Sequence, residues 1–153
     1  LAPLLREIRA LGFAVKMDTN GNHPDVLKAL VGEGLIDYVA MDIKNSPEKY
    51  AETIGLETFD TAAVEESLAF LKTGVVDYEL RTTAVAEYHT DEDFRAMAKW
   101  IEGAKRYFIQ CYTERDSVLC GGLTAPSTED LNRWCEIVRP YVGEAAVRGA
   151  ATE

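Results

Sequence analysis

Two short apolar runs, each cut off by polar residues, constrain this chain more than any other feature. Val15-Lys16-Met17-Asp18-Thr19-Asn20-Gly21 is the first; Tyr38-Val39-Ala40-Met41-Asp42-Ile43-Lys44 is the second. A strand buried in a parallel sheet reads as a near-continuous hydrophobic segment. Polar residues at its end mark where it leaves the sheet. In barrels and open α/β sheets the carboxyl ends of the strands carry the chemistry. Asp18, Thr19, Asn20, Asp42 and Lys44 are therefore candidates to face one shared pocket.

The remainder of the chain repeats this pattern. Leu1, Leu4, Leu5, Ile8 and Leu11 recur at helical spacing, with Arg6, Glu7 and Arg9 on the other face and Gly12 as the stop. Phe13–Met17 reads as the first strand. Pro24 suits the first position of a helix that carries Val26, Leu27, Leu30 and Val31. Leu35–Ile43 is the second strand. Ser46-Pro47 opens a short helical turn, and a helix over 61–72 turns Val64, Leu68 and Leu71 inward. Val75–Val85 is the third strand, with Arg81, Thr82 and Thr83 towards its end. Thr90-Asp91-Glu92-Asp93 is a capping box with Asp in the last place; its helix buries Phe94, Met97, Ala98 and Ile101. Arg106–Tyr112 is the fourth strand, with Gln110 near its end. Residues 114–125 read as a loop. Ser127 and Asp130 cap a last helix carrying Leu131, Trp134, Val138 and Tyr141, and 144–148 is a short fifth strand. Alternating elements with strand ends roughly 30 residues apart argue for βα units in a parallel sheet. Five strands do not close an eight-stranded barrel, so the sheet is open or part of a larger or partial barrel.

A chain of 153 residues is long enough for one domain with one core. Its net charge of −10 repels a phosphate backbone, and no basic patch offsets it, which argues against nucleic acid. No apolar run approaches the ~20 residues needed to cross a bilayer. Cys111, Cys120 and Cys135 have the spacing of neither a zinc ribbon nor an iron–sulfur run, and read as thiols in a reducing cytoplasm. The chain starts at Leu1, inside a helix, as a fragment would.

The polar strand ends admit two readings. Asp18 and Asp42 on successive strands stand ~4.8 Å apart laterally and repel unless a metal, a monovalent cation or a ligand ammonium group intervenes. Lys44 and Arg81 suit a carboxylate or phosphate, so the mixed lining fits a ligand bearing an amino acid. The other reading is solvated strand ends and internal salt bridges. His89 is either a pocket residue or part of the capping region. Trp100 and Trp134 lie on helical stripes as core residues. Tyr112, two beyond Gln110, either flanks an aromatic ligand or joins the core.

These residues resemble a known family. Lys16–Gly21, then Val39–Lys44 with Tyr50 following, then Leu80-Arg81-Thr82-Thr83, are similar in order and spacing to the radical S-adenosylmethionine activating enzymes of glycyl-radical enzymes. The likeness is nearest to the activators of anaerobic ribonucleoside-triphosphate reductase, which Val147-Arg148-Gly149 also fits; the pyruvate formate-lyase activators are similar. The resemblance implies that 1–149 is the C-terminal part of a partial (β/α)6 barrel, with 150–153 a tail. It implies a [4Fe–4S] cluster held by a CxxxCxxC motif. The cluster binds S-adenosylmethionine and cleaves it reductively to a 5′-deoxyadenosyl radical, which takes a hydrogen atom from a glycine of the partner enzyme. Neither CxxxCxxC nor the family's Gly-Gly-Glu occurs here, so both are expected upstream of Leu1 and the fragment alone is expected to be inactive. The implied cofactor-binding residues are Asp18, Thr19, Asn20, Asp42, Lys44, Arg81, Gln110 and Tyr112, with a monovalent cation at Asp18, Thr19 and Asp42 and no catalytic side chain of its own. The implied partners are a glycyl-radical enzyme, anaerobic ribonucleotide reductase first, and a reductant such as flavodoxin or ferredoxin. Two other readings stay open: a cluster-free α/β domain that binds a ligand or docks to a partner, and a radical enzyme acting on a small molecule or tRNA.

Overall fold

A computed structural model of the chain describes residues 1–113 and 122–149. In chain order it contains α1 (Ala2–Ala10), β1 (Lys16–Thr19), α2 (Pro24–Gly32), β2 (Tyr38–Asp42), α3 (Tyr50–Thr53), α4 (Ala62–Lys72), β3 (Asp77–Ala84), α5 (Asp91–Trp100), β4 (Arg106–Cys111), α6 (Thr128–Val138) and β5 (Glu144–Arg148). Single 3-10 turns stand at Pro47–Lys49 and Arg139–Tyr141. The strands form one sheet in sequence order, β1-β2-β3-β4-β5. The pairs β1–β2, β3–β4 and β4–β5 are parallel, as the alternating elements predict. A doubly wound sheet reverses its strand order at a switch point; this one does not. Crossovers of one hand, repeated in one direction, put their helices on one face, which is how a barrel wall is built.

The chain divides into two compact units. The first comprises Leu1–Asp42 and Asp60–Glu79, the second Ile43–Phe59 and Leu80–Glu153.

In the first unit α2 and α4 supply Leu27, Leu30, Val31, Val64, Leu68 and Leu71 to a core completed by Val39 and Met41 of β2. Each such buried side chain contributes about 1.5–3 kcal/mol. Two expectations are corrected here. The first strand begins at Lys16 rather than Phe13, and Phe13 is exposed. The cause is local: the Val15 carbonyl accepts from the amides of Asp37 and Tyr38, and the Val15 amide donates to the Asp37 carboxylate at 2.7 Å. The strand therefore starts after that knot, and Asp18 and Thr19 lie within it. The helix α1 buries only Leu5 of its apolar stripe. Its docking comes partly from the polar side, where Arg6 pairs with Glu33 and Arg9 with Asp37, each at 2.5 Å.

The second unit packs α5 and α6 together. Phe94, Met97, Ala98 and Ile101 of the first helix and its end are buried as the sequence predicts, with Leu131, Trp134 and Val138 of the second. The Phe94 and Trp134 rings stack with centroids 4.6 Å apart. Tyr141 departs from the expected stripe, because Pro140 takes the chain into a 3-10 turn and leaves the ring half-buried. Trp100 is half-buried, edge-on to Tyr50. The capping box forms: the Thr90 hydroxyl accepts from the Asp93 amide, and the Asp93 carboxylate accepts from the Thr90 amide at 2.8 Å. Residues 114–121 of the expected loop, Cys120 among them, and the tail 150–153 lie outside the described residues.

Candidate cofactor-binding site

Strand alternation sorts the polar residues onto faces, and the register fixes which share one. In the first unit Lys16 pairs with Tyr38 and Asp18 with Ala40. Lys16, Asp18, Tyr38, Ala40 and Asp42 thus share one face, while Met17, Thr19, Val39 and Met41 point to the other. The first face is wet, with Lys16 and Asp18 exposed and Asp42 half-buried; on the second, Val39 and Met41 are fully buried. At the amino end of the wet face sits Glu79, buried to 3% exposure. It accepts from the Tyr38 hydroxyl at 3.0 Å and pairs with the Lys16 ammonium at 3.5 Å. A buried carboxylate needs such partners. Asp18 and Asp42 lie towards the carboxyl ends of the same strands.

The turn after β1 shapes this end. The Thr19 hydroxyl accepts from the Gly21 amide, and the Asn20 side-chain carbonyl accepts from the Asn22 amide, both at 3.1 Å. Thr19 and Asp18 therefore stand on opposite faces, and Asn20 follows in the turn.

In the second unit the same sorting holds. Arg81 pairs with Phe108 and Thr83 with Gln110, and Gln110 pairs with Arg148. These residues share a face, while Leu80, Thr82, Ala84, Tyr107 and Ile109 fill the buried one. A cavity of about 420 Å³ opens at the carboxyl ends of β3, β4 and β5, lined by Thr83, Gln110, Cys111, Tyr112, Thr113, Arg148 and Gly149. The Arg148 guanidinium lies 3.4 Å above the centre of the Phe108 ring. The Tyr112 hydroxyl is buried and has no hydrogen-bond partner among the described residues. This cavity joins Gln110 and Tyr112; Lys44 and Arg81 are not in its lining. Thr83, Phe108 and Arg148 were not singled out as site residues from the sequence. Period-two counting from Arg81 and Gln110 would have found the first two, and Arg148 needs the β4–β5 register.

The residue before Lys44 and the residues after it are anchored in this unit. The Ile43 amide donates to the Arg81 carbonyl at 2.7 Å, and the Ile43 carbonyl accepts from the Thr82 hydroxyl at 2.6 Å. The fully buried Tyr107 hydroxyl donates to the Thr82 oxygen at 2.7 Å, and burial pushes its pKa far up. The Asn45 side-chain amide donates to the Tyr88 carbonyl at 2.8 Å and to the Thr53 hydroxyl at 2.9 Å.

Among the described residues, no three His, Cys, Asp or Glu side chains are grouped to hold a metal ion. Cys111 is half-buried and Cys135 buried, both with free thiols. These two thiols do not make the three-thiolate donor set of a cluster.

Sheet order and parallel pairing define an α/β fold that two solved structures share. The fold matches a domain of the pyruvate-formate lyase-activating enzyme of Bacteroides vulgatus with a TM-score of 0.76 at 13% identity, over 97% of this chain and 89% of that one. It matches a radical S-adenosylmethionine methyltransferase of Sphaerobacter thermophilus with a TM-score of 0.73 at 14% identity, over 90% of this chain and 42% of that one. In sequence the chain is similar to a Methanocaldococcus jannaschii protein that carries the provisional name glycyl-radical enzyme activating enzyme MJ1227. The two are 31% identical over 150 residues, which is 95% of this chain and 62% of that protein. The chain thus spans under two thirds of that relative's length. No protein-family model matches it.

Proposed function

We propose that this chain is part of a radical S-adenosylmethionine enzyme that installs a glycyl radical on a partner enzyme, and that its strand ends bind the cofactor. The observation that carries this reading is the 31% identity extending over 95% of the chain to a relative with that name.

The residues fit S-adenosylmethionine, which presents an ammonium group, a carboxylate, a sulfonium and a nucleoside. Asp18 and Asp42 offer two carboxylates on one strand face, to the ammonium group or to a monovalent cation. The Thr19 hydroxyl serves the turn, so Thr19 would assist that cation through its backbone. Asn20 and Lys44 line the methionine end, and Arg81 answers the carboxylate. Gln110 offers a side-chain amide to the nucleoside and the Tyr112 ring flanks it, in a cavity whose described lining includes no carboxylate. When bound, the cofactor supplies the 5′-deoxyadenosyl group; the chain's own residues bind and orient it. The described residues do not fit a [4Fe–4S] cluster, and its ligands belong outside them.

Anaerobic ribonucleotide reductase is the partner this reading names first, with flavodoxin or ferredoxin as reductant and the cytoplasm as the setting. Electron paramagnetic resonance on the intact, reduced enzyme tests it. A glycyl radical on the reductase that depends on S-adenosylmethionine supports the reading. Cofactor cleavage that leaves no radical on any glycyl-radical enzyme, with a modified small molecule or tRNA instead, overturns it.

A further inference from the structure

We infer that His89 is a positioning residue for Lys44, acting as a clamp on its backbone carbonyl. This rests on the cofactor-binding role just proposed for Lys44.

The geometry carries it. His89 is 3% exposed, and each ring nitrogen meets backbone. Nε2 lies 2.9 Å from the Lys44 carbonyl oxygen, and Nδ1 lies 3.1 Å from the Val85 amide nitrogen. A carbonyl only accepts, so Nε2 carries the proton; an amide only donates, so Nδ1 is bare. One tautomer of the neutral ring satisfies both bonds. The Val85 carbonyl, 3.2 Å from Nδ1, is already served by the His89 amide. The ring thereby ties the chain after β2 to the chain after β3.

Local anchoring makes the tie matter. Ile43 is held by Arg81 and Thr82, and Asn45 by Tyr88 and Thr53. Between them, the Lys44 carbonyl takes its side-chain bond from His89. Losing it removes a hydrogen bond from a part-buried carbonyl. It also frees the peptide that sets where Lys44 projects.

The surroundings favour the neutral ring. Phe94 and Trp134 lie 5.7 and 6.5 Å away, centroid to centroid. Burial holds the imidazole below the ordinary histidine pKa, against the opposing pull of its two backbone bonds and of Asp93. The charged groups around it are the Lys49–Asp93 pair, Asp91, Glu92 and Arg95 on α5, and Asp130 and Arg133 on α6.

Two variants test the assignment in the intact, cluster-loaded enzyme. His89→Phe keeps a ring but neither bond. His89→Gln keeps a donor at the Nε2 position and cannot titrate. S-adenosylmethionine affinity is read by calorimetry, and backbone exchange of 43–46 by hydrogen–deuterium mass spectrometry. His89→Phe is expected to weaken affinity about tenfold and to speed exchange at 43–46 by a similar factor, with β4 unchanged. His89→Gln, which returns a donor to the Lys44 carbonyl, is expected to match the native enzyme in affinity and in exchange at 43–46. A folded His89→Phe with native affinity and native exchange at 43–46 overturns the clamp. So does a folded His89→Gln that is as impaired as His89→Phe in both readouts. If the intact native enzyme binds no S-adenosylmethionine, the cofactor reading falls, and the exchange at 43–46 still decides the clamp.

Discussion

Gly21 shows how much one residue can fix at this site. Its φ is +77°, in the left-handed region that other residues enter at a cost. A Cβ there would stand 2.4 Å from the Met41 Cε and 3.5 Å from the Ser67 Cβ, and the Gly21 carbonyl accepts from the Ser67 hydroxyl at 2.7 Å. The methionine end can shift; the backbone angle cannot. Gly21→Ala is expected to cost about 1–3 kcal/mol in urea unfolding, and an unchanged midpoint would contradict this. That Asn20-Gly21 breaks the strand was legible in the sequence. Its reason was not, because Met41 and Ser67 reach it from 20 and 46 residues away. The common face of Asp18 and Asp42 was similarly half-legible. Parity within each strand is in the sequence, but the β1–β2 register that aligns the two strands is a tertiary fact.

At the level of elements, the helices with self-contained signals matched the sequence best. The capping box of α5 was visible as Thr90 and Asp93, since a cap is satisfied within one turn. Asp93 also takes the Lys49 ammonium at 3.0 Å, a link no local pattern announces. Burial pushes the Asp93 pKa up, but the bonds from Thr90 and Lys49 outweigh it and hold it below the usual carboxylate range. A depressed carboxylate pKa stabilises the fold above its unfolded value, and the gain disappears as pH falls through the folded value. Asp93→Asn is therefore expected to lose about 1–2 kcal/mol at neutral pH and to show a flatter stability profile below about pH 4. Parallel acid limbs in the two proteins would contradict that. Strand boundaries were less legible. Phe13 and Val75 look like strand residues, yet each is exposed and outside its strand. Hydrophobicity marks a run without saying where its ladder begins. The α1 stripe misled for a related reason: spacing gives a face, and only tertiary neighbours decide whether it is covered.

For the whole molecule, the α/β class and the parallel pairing followed from the alternation of elements. The unreversed strand order, which separates a barrel wall from a doubly wound sheet, came from the structure. The net charge is −10, yet the chain places Lys44 and Arg148 at or beside strand ends and Arg81 within β3. The central claim is that these strand ends bind S-adenosylmethionine, and titration calorimetry of the intact, cluster-loaded enzyme with that compound tests it most directly. Saturable binding, weakened about tenfold or more in both Asp18→Asn and Asp42→Asn, is the predicted result. No binding heat from the intact native enzyme, or affinity that neither substitution changes, would contradict it.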